Sequence, residues 1–264
     1  VRLKGGDPYL FGRGGEEALA LSQHNIPFEV VPGITAAAGC SAYSGIPLTH
    51  RGLNHGVRFL TGHFRNDEEL DIDWNKVADP DCTLVIYMGV TTAEHWSGQL
   101  IHHGKPADTP AAIVRRCSWH DQQVIHCPLA DVPKALTAGH IRPPVIVIVG
   151  AVADRERVRG WFATRPLFGQ TILVTRARAQ AASLQDTLTE MGARVLLQPA
   201  IDISEPPDWG PVDQAIAQLD RYQWLVFSSA NGVRYFLRRL LAAGHDLRVL
   251  GGAKLAAIGP GTAQ

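Results

Sequence analysis

The residues with the most chemical potential open the chain: Lys4-Gly5-Gly6-Asp7-Pro8-Tyr9-Leu10-Phe11-Gly12-Arg13-Gly14-Gly15-Glu16-Glu17. Lacking Cβ atoms, Gly5 and Gly6 let backbone N–H groups come close to a ligand. Asp7 can accept from an ammonium or a hydroxyl. The second loop enters a helix, where Glu16 and Glu17 suit the positive N-terminal end. Taken alone, the same residues also fit two glycine turns and a helix cap. They are followed by Val30-Val31-Pro32-Gly33-Ile34-Thr35-Ala36-Ala37-Ala38, which reads as a strand, a tight turn and a helix start made of small residues. Small residues there leave room for something flat, or for close helix packing. Next come Gly45-Ile46-Pro47-Leu48-Thr49-His50-Arg51-Gly52 and, after a strand at 57–60, Thr61-Gly62-His63. Far downstream, Thr175, Arg176, Ser228, Ser229 and Asn231 fall at strand ends or the helix starts that follow. That edge is where open α/β sheets bind ligands. Arg176 suits an anion, whereas Ser229 and Asn231 fit equally well as N-caps.

Elements must position these groups. Short apolar runs without alternation recur at 83–88, 145–149, 172–174, 195–197, 224–227 and 255–258, the pattern of strands buried on both faces. Helical spacing of apolar residues marks 16–24, 92–103, 181–191 and 233–243, with Gly192 placed to end the third. Alternating strands and helices predict an α/β architecture. At 264 residues the chain is long enough for two domains. Residues 154–168 are charged and proline-interrupted and read as a solvated linker between domains at 1–153 and 169–264; a second break at 204–211 divides the latter. Val1–Leu3 reads as a strand end and 256–262 as a strand, turn and helix start, so both ends look cut and the chain is read as an internal fragment.

Lys+Arg and Asp+Glu are both 25, so no basic excess points to nucleic acid or an anionic membrane. An acidic small substrate stays compatible. The longest apolar run, 145–152, is far short of a membrane span and no signal segment opens the chain, so a cytoplasmic location is expected. Cys40, Cys82, Cys117 and Cys127 form neither CxxC nor zinc-ligand spacing and read as small buried thiols; no metal is expected. A nucleotide- or anion-binding module is the reading from a different class, but its GxxxxGK[ST] signature is absent.

The segments LKGGDPYLFGRGGEEA, VVPGITAAAGCSAYSGIPLTHRG, LTGH, TLVIYMG and PPVIVIVG, in this order, resemble the tetrapyrrole methylase superfamily, and within it the uroporphyrinogen-III C-methyltransferases. From Gly169 onward, ILVTRARAQAASLQDTLTEMGARVLLQPAIDI, YQWLVFSSANGVRYFL and LAAIGPGTAQ resemble the first half of uroporphyrinogen-III synthases. The first resemblance implies a two-lobed α/β enzyme that binds S-adenosylmethionine and methylates two ring carbons of uroporphyrinogen III, giving precorrin-2. The second implies cyclisation of hydroxymethylbilane to uroporphyrinogen III without metal or organic cofactor. Carried over by motif, the cofactor contacts are Gly5, Gly6, Asp7, Leu10, Thr35, Ala36 and Met88, together with Cys117, which stands where the family has a glycine.

The implied substrate is rich in carboxylates, for which Arg13, His50, Arg51 and His63 are the candidate donors in the first half. Arg176, Ser228, Ser229 and Asn231 are the candidates in the second. The resemblance also implies a GxGPGD-type loop and the acid–base residues upstream of Val1, and a tyrosine implicated in hydroxyl loss beyond Gln264. No general base is therefore named here, and residues 1–264 alone are expected to lack methyltransferase activity. Implied partners are tetrapyrroles and a second copy, as a homodimer through the methylase half. A methylase of another precorrin joined to an unrelated α/β domain is the competing enzyme reading.

Overall fold

The apolar runs near 83–88 and at 145–149 become the most deeply buried strands of a five-stranded sheet in the computed structural model, which describes residues 1–63 and 72–263. In chain order the elements are α1 (Gly14–Gln23), α2 (Ala36–Ser44), β1 (Gly56–Thr61), α3 (Trp74–Val77), β2 (Cys82–Tyr87), α4 (Ala93–His102), β3 (Pro110–Arg115), β4 (Gln123–Pro128), α5 (Val132–Ala138) and β5 (Val145–Val149). The strands lie in the order β1-β2-β5-β3-β4. β1 and β2 run parallel, and the other neighbours are antiparallel.

Every residue of β2 and β5 is buried because both faces of the sheet are covered. Leu84, Ile86, Val147 and Val149 pack with Trp96 and Leu100 of α4 and Val132 and Leu136 of α5. The alternate residues Val85, Tyr87, Ile146 and Ile148 pack with Ala37 and Cys40 of α2 and with Val152 and Ala153. Two-residue strand periodicity thus splits each run between two apolar layers. Fully burying one such aliphatic side chain contributes about 1.5–3 kcal/mol.

Beyond β5 come β6 (Thr171–Val174), α6 (Arg178–Glu190), β7 (Arg194–Leu197), α7 (Gly210–Ala217), β8 (Trp224–Phe227), α8 (Ala230–Ala242), β9 (Lys254–Ala257) and α9 (Pro260–Ala263). Two compact units result: Val1–Leu173 with Ser183–Leu196, and Val174–Ala182 with Leu197–Gln264. β6 pairs with β7, and β8 pairs in parallel with β9. A small core of Ile216, Leu219 and Leu240 gathers Leu225, Phe236 and Leu237 around it.

Here the expectation of strands buried on both faces fails. Trp224 and Val226 are 55% and 64% exposed while Leu225 and Phe227 turn inward, because the described helices cover one face of this pair only. Two further expectations are corrected. Val1–Leu3 and the 30–31 segment are not strands. No described strand lies beside them to complete a ladder, and Pro27 and Pro32 remove donors that a ladder would need.

The segment at 154–168 is exposed over most of its length, with its charges gathered in the first part and a buried anchor, Phe162, in the second. An Asp154–Arg157 ion pair at 3.4 Å holds a turn. Phe162 is then buried, the Trp161 indole N–H donates to the Ala42 carbonyl at 2.8 Å, and Tyr43 stacks near both rings.

Candidate functional site

β2 and β3 are each antiparallel to β5, which lies between them, so they run in the same direction and end at the same edge of the sheet, where β5 begins. The register fixes this: Tyr87 is opposite Ile146, and Arg115 is opposite Val145. A cavity of about 840 Å³ opens at that edge. Its wall takes Tyr87 and Met88 from the end of β2, Arg116 to Trp119 from the end of β3, and Pro143 to Ile146 from the start of β5. Gly5 and Gly6 from the first loop, and Ile34, Thr35, Ala36 and Cys40 around the start of α2, line it as well. Six of the eight residues expected at a cofactor therefore meet in one place: Gly5, Gly6, Thr35, Ala36, Met88 and Cys117.

Asp7 and Leu10 stand just behind this wall. Asp7 clamps two loops together, its carboxylate accepting from the N–H of Tyr9 at 2.9 Å and of Gly33 at 3.2 Å. Those two N–H groups hold the Asp7 carboxyl below the usual carboxylate range. Glycine at 33 is required by the closeness of the loops, since a Cβ there would sit 2.1 Å from the Gly6 carbonyl oxygen. Leu10 packs against the apolar layer containing Tyr87, and the neighbouring Phe11 ring lies 4.8 Å from the Tyr87 ring.

Tyr87 was not singled out from the sequence, yet it organises the site. Its buried hydroxyl accepts from the Ala37 N–H at 2.8 Å and shares a hydrogen bond with the Thr35 hydroxyl at 2.6 Å. The start of α2 is thereby tied to the end of β2. The signal available was a tyrosine at the end of a fully apolar strand, where its hydroxyl needs a partner. On the opposite wall, Arg116 lies 4.0 Å over the Trp119 ring and pairs with Asp121 at 2.8 Å. The Ser118 N–H donates to Gln122, which in turn donates to the Tyr43 carbonyl. Met88, Arg116 and Ser118 all have left-handed backbones, with φ of 53°, 48° and 66°. Such strained positions concentrate at functional sites.

The four candidate carboxylate donors of the first unit do not line the cavity. Arg13 is exposed and paired with Glu16 at 2.6 Å. His50 and Arg51 lie in an exposed loop held by Asn54, which donates to the Leu48 and Gly56 carbonyls and the Thr83 hydroxyl and accepts from the His50 N–H. His63 is exposed, two residues past Thr61, whose partner across the ladder is Tyr87. It therefore lies toward the sheet edge from which Met88 emerges.

In the second unit, Ser229 caps α8 by accepting from the Gly232 N–H at 3.1 Å. Asn231 accepts from Arg234 at 3.1 Å, and Arg176 reaches Gln180 at 3.4 Å. Ser228 is exposed at the end of β8, on the same edge as Gly259-Pro260-Gly261, since β8 and β9 are parallel with Phe227 opposite Ala257. Among the described residues no group of His, Cys, Asp and Glu could hold a metal ion, and no helix is long and apolar enough to cross a membrane.

Residues 1–133 match the family Tetrapyrrole (Corrin/Porphyrin) Methylases. The chain belongs to that family. Residues 182–264 match Uroporphyrinogen-III synthase HemD, so a methylase domain is followed by a synthase-type domain. A relative described as "Porphyrin biosynthesis protein HemD", from Ruminiclostridium josui, is 36% identical over all of this chain and 52% of its own length. A "Siroheme synthase" of Pseudomonas fluorescens is 49% identical over 61% of this chain and 35% of its own. The chain thus spans about half or less of these relatives. The uroporphyrin-III C-methyl transferase of Thermus thermophilus, crystallised with S-adenyl homocysteine, is 39% identical with a TM-score of 0.50, over 58% of this chain and 65% of that one.

Proposed function

We propose that the first unit transfers methyl groups from S-adenosylmethionine to two ring carbons of uroporphyrinogen III, forming precorrin-2. The second unit then belongs to a fused synthase that closes hydroxymethylbilane to uroporphyrinogen III. Convergence of Gly5, Gly6, Thr35, Ala36, Met88 and Cys117 on one cavity carries the reading. The cavity chemistry fits the cofactor. Among the described residues no Asp or Glu lines it, the one arginine among them is neutralised by Asp121, and Tyr43, Tyr87 and Trp119 offer aromatic faces to a purine or a cationic sulfonium.

S-adenosylmethionine supplies an electrophilic methyl group, so the chain's task is orientation rather than covalent catalysis. Gly5 and Gly6 admit the ligand against backbone, the Tyr87 hydroxyl fixes Thr35 and Ala36, and Met88 and Cys117 close the two strand ends. Asp7 acts by holding the Gly6 and Gly33 loops in register, and Leu10 by seating the first loop on the core. Arg13, His50, Arg51 and His63, all outside the cavity lining, are assigned to substrate carboxylates, with Arg13 exchanging Glu16 for a carboxylate on binding. In the second unit Arg176, Ser228 and Asn231 are assigned to substrate, with Ser229 holding the start of α8.

The junction is placed at 154–168, the location in the cytoplasm, and the assembly as a homodimer through the methylase half. The test is incubation of the full-length protein with uroporphyrinogen III and S-adenosylmethionine, followed by mass analysis. Gain of two methyl groups is expected. An absence of S-adenosylhomocysteine binding by calorimetry would end the reading.

A further inference from the structure

Residues 159–169 do not line the cavity, yet they are fastened to both of its walls. On one side they lie across the end of α2. The two backbones come close there: a Cβ on Gly45 would sit 2.4 Å from the Arg159 carbonyl oxygen, and one on Gly160 would sit 3.1 Å from that of Ser44. The Trp161 indole N–H donates to the Ala42 carbonyl at 2.8 Å. Next to it, the Trp161 and Phe162 rings lie 5.4 Å and 4.9 Å from the ring of Tyr43, which is itself a wall residue of the cavity. Arg165 stacks over both of those rings, at 4.8 Å and 4.6 Å. On the opposite wall, the Gly169 N–H donates at 3.0 Å to the carbonyl of His120, the residue after Trp119. Between these two attachments the segment has an anchor of its own, the Leu167 N–H donating to the Met191 carbonyl at 2.9 Å. Met191 belongs to the synthase-type match but lies in the same compact unit as the cavity.

We propose that residues 159–169 form a strap that sets the Tyr43 ring against the cavity's ligand, with Trp161 as a positioning residue for ligand binding. A tyrosine in a cavity wall that turns freely must be ordered when the ligand arrives, and that ordering weakens binding. Packed against Trp161 and Phe162, the Tyr43 ring is ordered beforehand. Trp161 is 48% exposed, so its ring adds little to the buried layers, and its printed contacts run to the end of α2, Phe162 and Arg165. Affinity for the ligand therefore depends on a side chain that does not line the cavity. Naming that ligand as S-adenosylmethionine rests on the methyltransferase reading; the fixing of Tyr43 does not.

The test uses the full-length protein and S-adenosylhomocysteine as the calorimetric probe. Trp161→Ala is expected to weaken binding roughly three- to tenfold, the range for leaving one such side chain to be ordered on binding. KM for S-adenosylmethionine should rise alike while kcat at saturation stays unchanged. Trp161→Phe, which keeps a ring beside Tyr43, should recover most of the affinity. In a Tyr43→Ala background, Trp161→Ala should have no further effect on binding, because the strap acts through that ring. Leu136→Val, in the layer under α4 and α5, should lower the urea midpoint and leave binding unchanged. Unchanged binding by Trp161→Ala, an equal loss with and without the Tyr43 ring, or a similar loss from Leu136→Val would overturn the proposal. Fluorine NMR of protein labelled with 3-fluorotyrosine reads the strap without any ligand. Tyr43→Ala identifies the Tyr43 signal by its loss, and Trp161→Ala should shift or broaden that signal; an unmoved signal overturns the strap. Failure of the parent protein to bind S-adenosylhomocysteine overturns the methyltransferase reading, while the fluorine signal still decides the strap.

Discussion

Replacing Tyr87 with phenylalanine removes one oxygen and leaves the ring in place between α2 and the end of β2. The phenol carries two hydrogen bonds, to the Ala37 N–H at 2.8 Å and the Thr35 hydroxyl at 2.6 Å. Ala37 is fully buried, so its N–H is left without an acceptor, at a cost of about 1–3 kcal/mol. The Thr35 hydroxyl can turn toward the cavity and recover part of its loss. Together the expected destabilisation is about 2–3 kcal/mol, read as a lower urea midpoint at unchanged slope. The same change frees Thr35 and Ala36, so binding of S-adenosylhomocysteine should weaken although Tyr87→Phe deletes no apolar surface from the cavity wall. A cycle with Thr35→Val separates the two bonds, because Thr35→Val removes one of them and spares the Ala37 N–H. A loss of stability under about 0.5 kcal/mol, the range of ordinary surface changes, would refute the argument that Tyr87 fastens the helix start.

The Asp7 carboxyl is depressed by two N–H donors, so its stabilising effect is present above the unfolded carboxylate's pKa and lost as pH falls through the lower folded value. Asp7→Asn should flatten that acid limb and weaken S-adenosylhomocysteine binding; an unaltered acid unfolding profile would remove Asp7 from its clamping role. Gly33→Ala pushes a Cβ into the Gly6 carbonyl and should cost about 1–3 kcal/mol of stability along with ligand binding, both measurable by denaturation and calorimetry. Brief trypsin digestion of the full-length protein should cut first at Arg155, Arg157 or Arg159 in the exposed charged turn, and not at Arg165, which stacks 4.6 Å over the buried Phe162 ring. Methyltransferase and synthase activities should survive in the separated products, and joint loss of both on this one cut would argue against two enzymes.

The wall of the cavity was legible in part because glycine and small residues report where backbone must come close, and Gly5, Gly6, Thr35 and Ala36 are such positions. The residues that hold it together were not. Tyr87, Asn54, Gln122 and Arg116 act through partners as far as 79 positions away in sequence, and nothing in their local pattern states who those partners are. The hairpin of β3 and β4 was missed for the opposite reason: Ala111, Ala112, Ile113 and Val114 are too short and mild an apolar run to stand out, yet all are buried. The 30–31 segment was read as a strand from local composition, whereas a strand exists only where a neighbour completes its hydrogen bonds. Continuous apolar runs likewise predicted burial on both faces, which held for β2 and β5 and failed at Trp224 and Val226, where the described residues supply a single covering layer.

The cavity shows why a rigid sheet and a strained rim belong together. Met88, Arg116 and Ser118 hold left-handed backbones, each at roughly 1–2 kcal/mol for a residue with a Cβ. Glycine would relieve each of them, but would also delete a side chain from the wall. What holds them in place is their attachment. Met88 follows a strand buried at every residue, Arg116 donates its N–H to the Pro144 carbonyl at the start of β5, and Ser118 is fixed through Gln122 to α2. Neighbouring strands of one sheet thus fix the spacing of the two rims, and the ligand need not organise them on arrival. Preorganisation of this kind is what the proposed methyl transfer from a bound donor requires, because the acceptor carbon must meet the methyl in line and within a narrow range of distance.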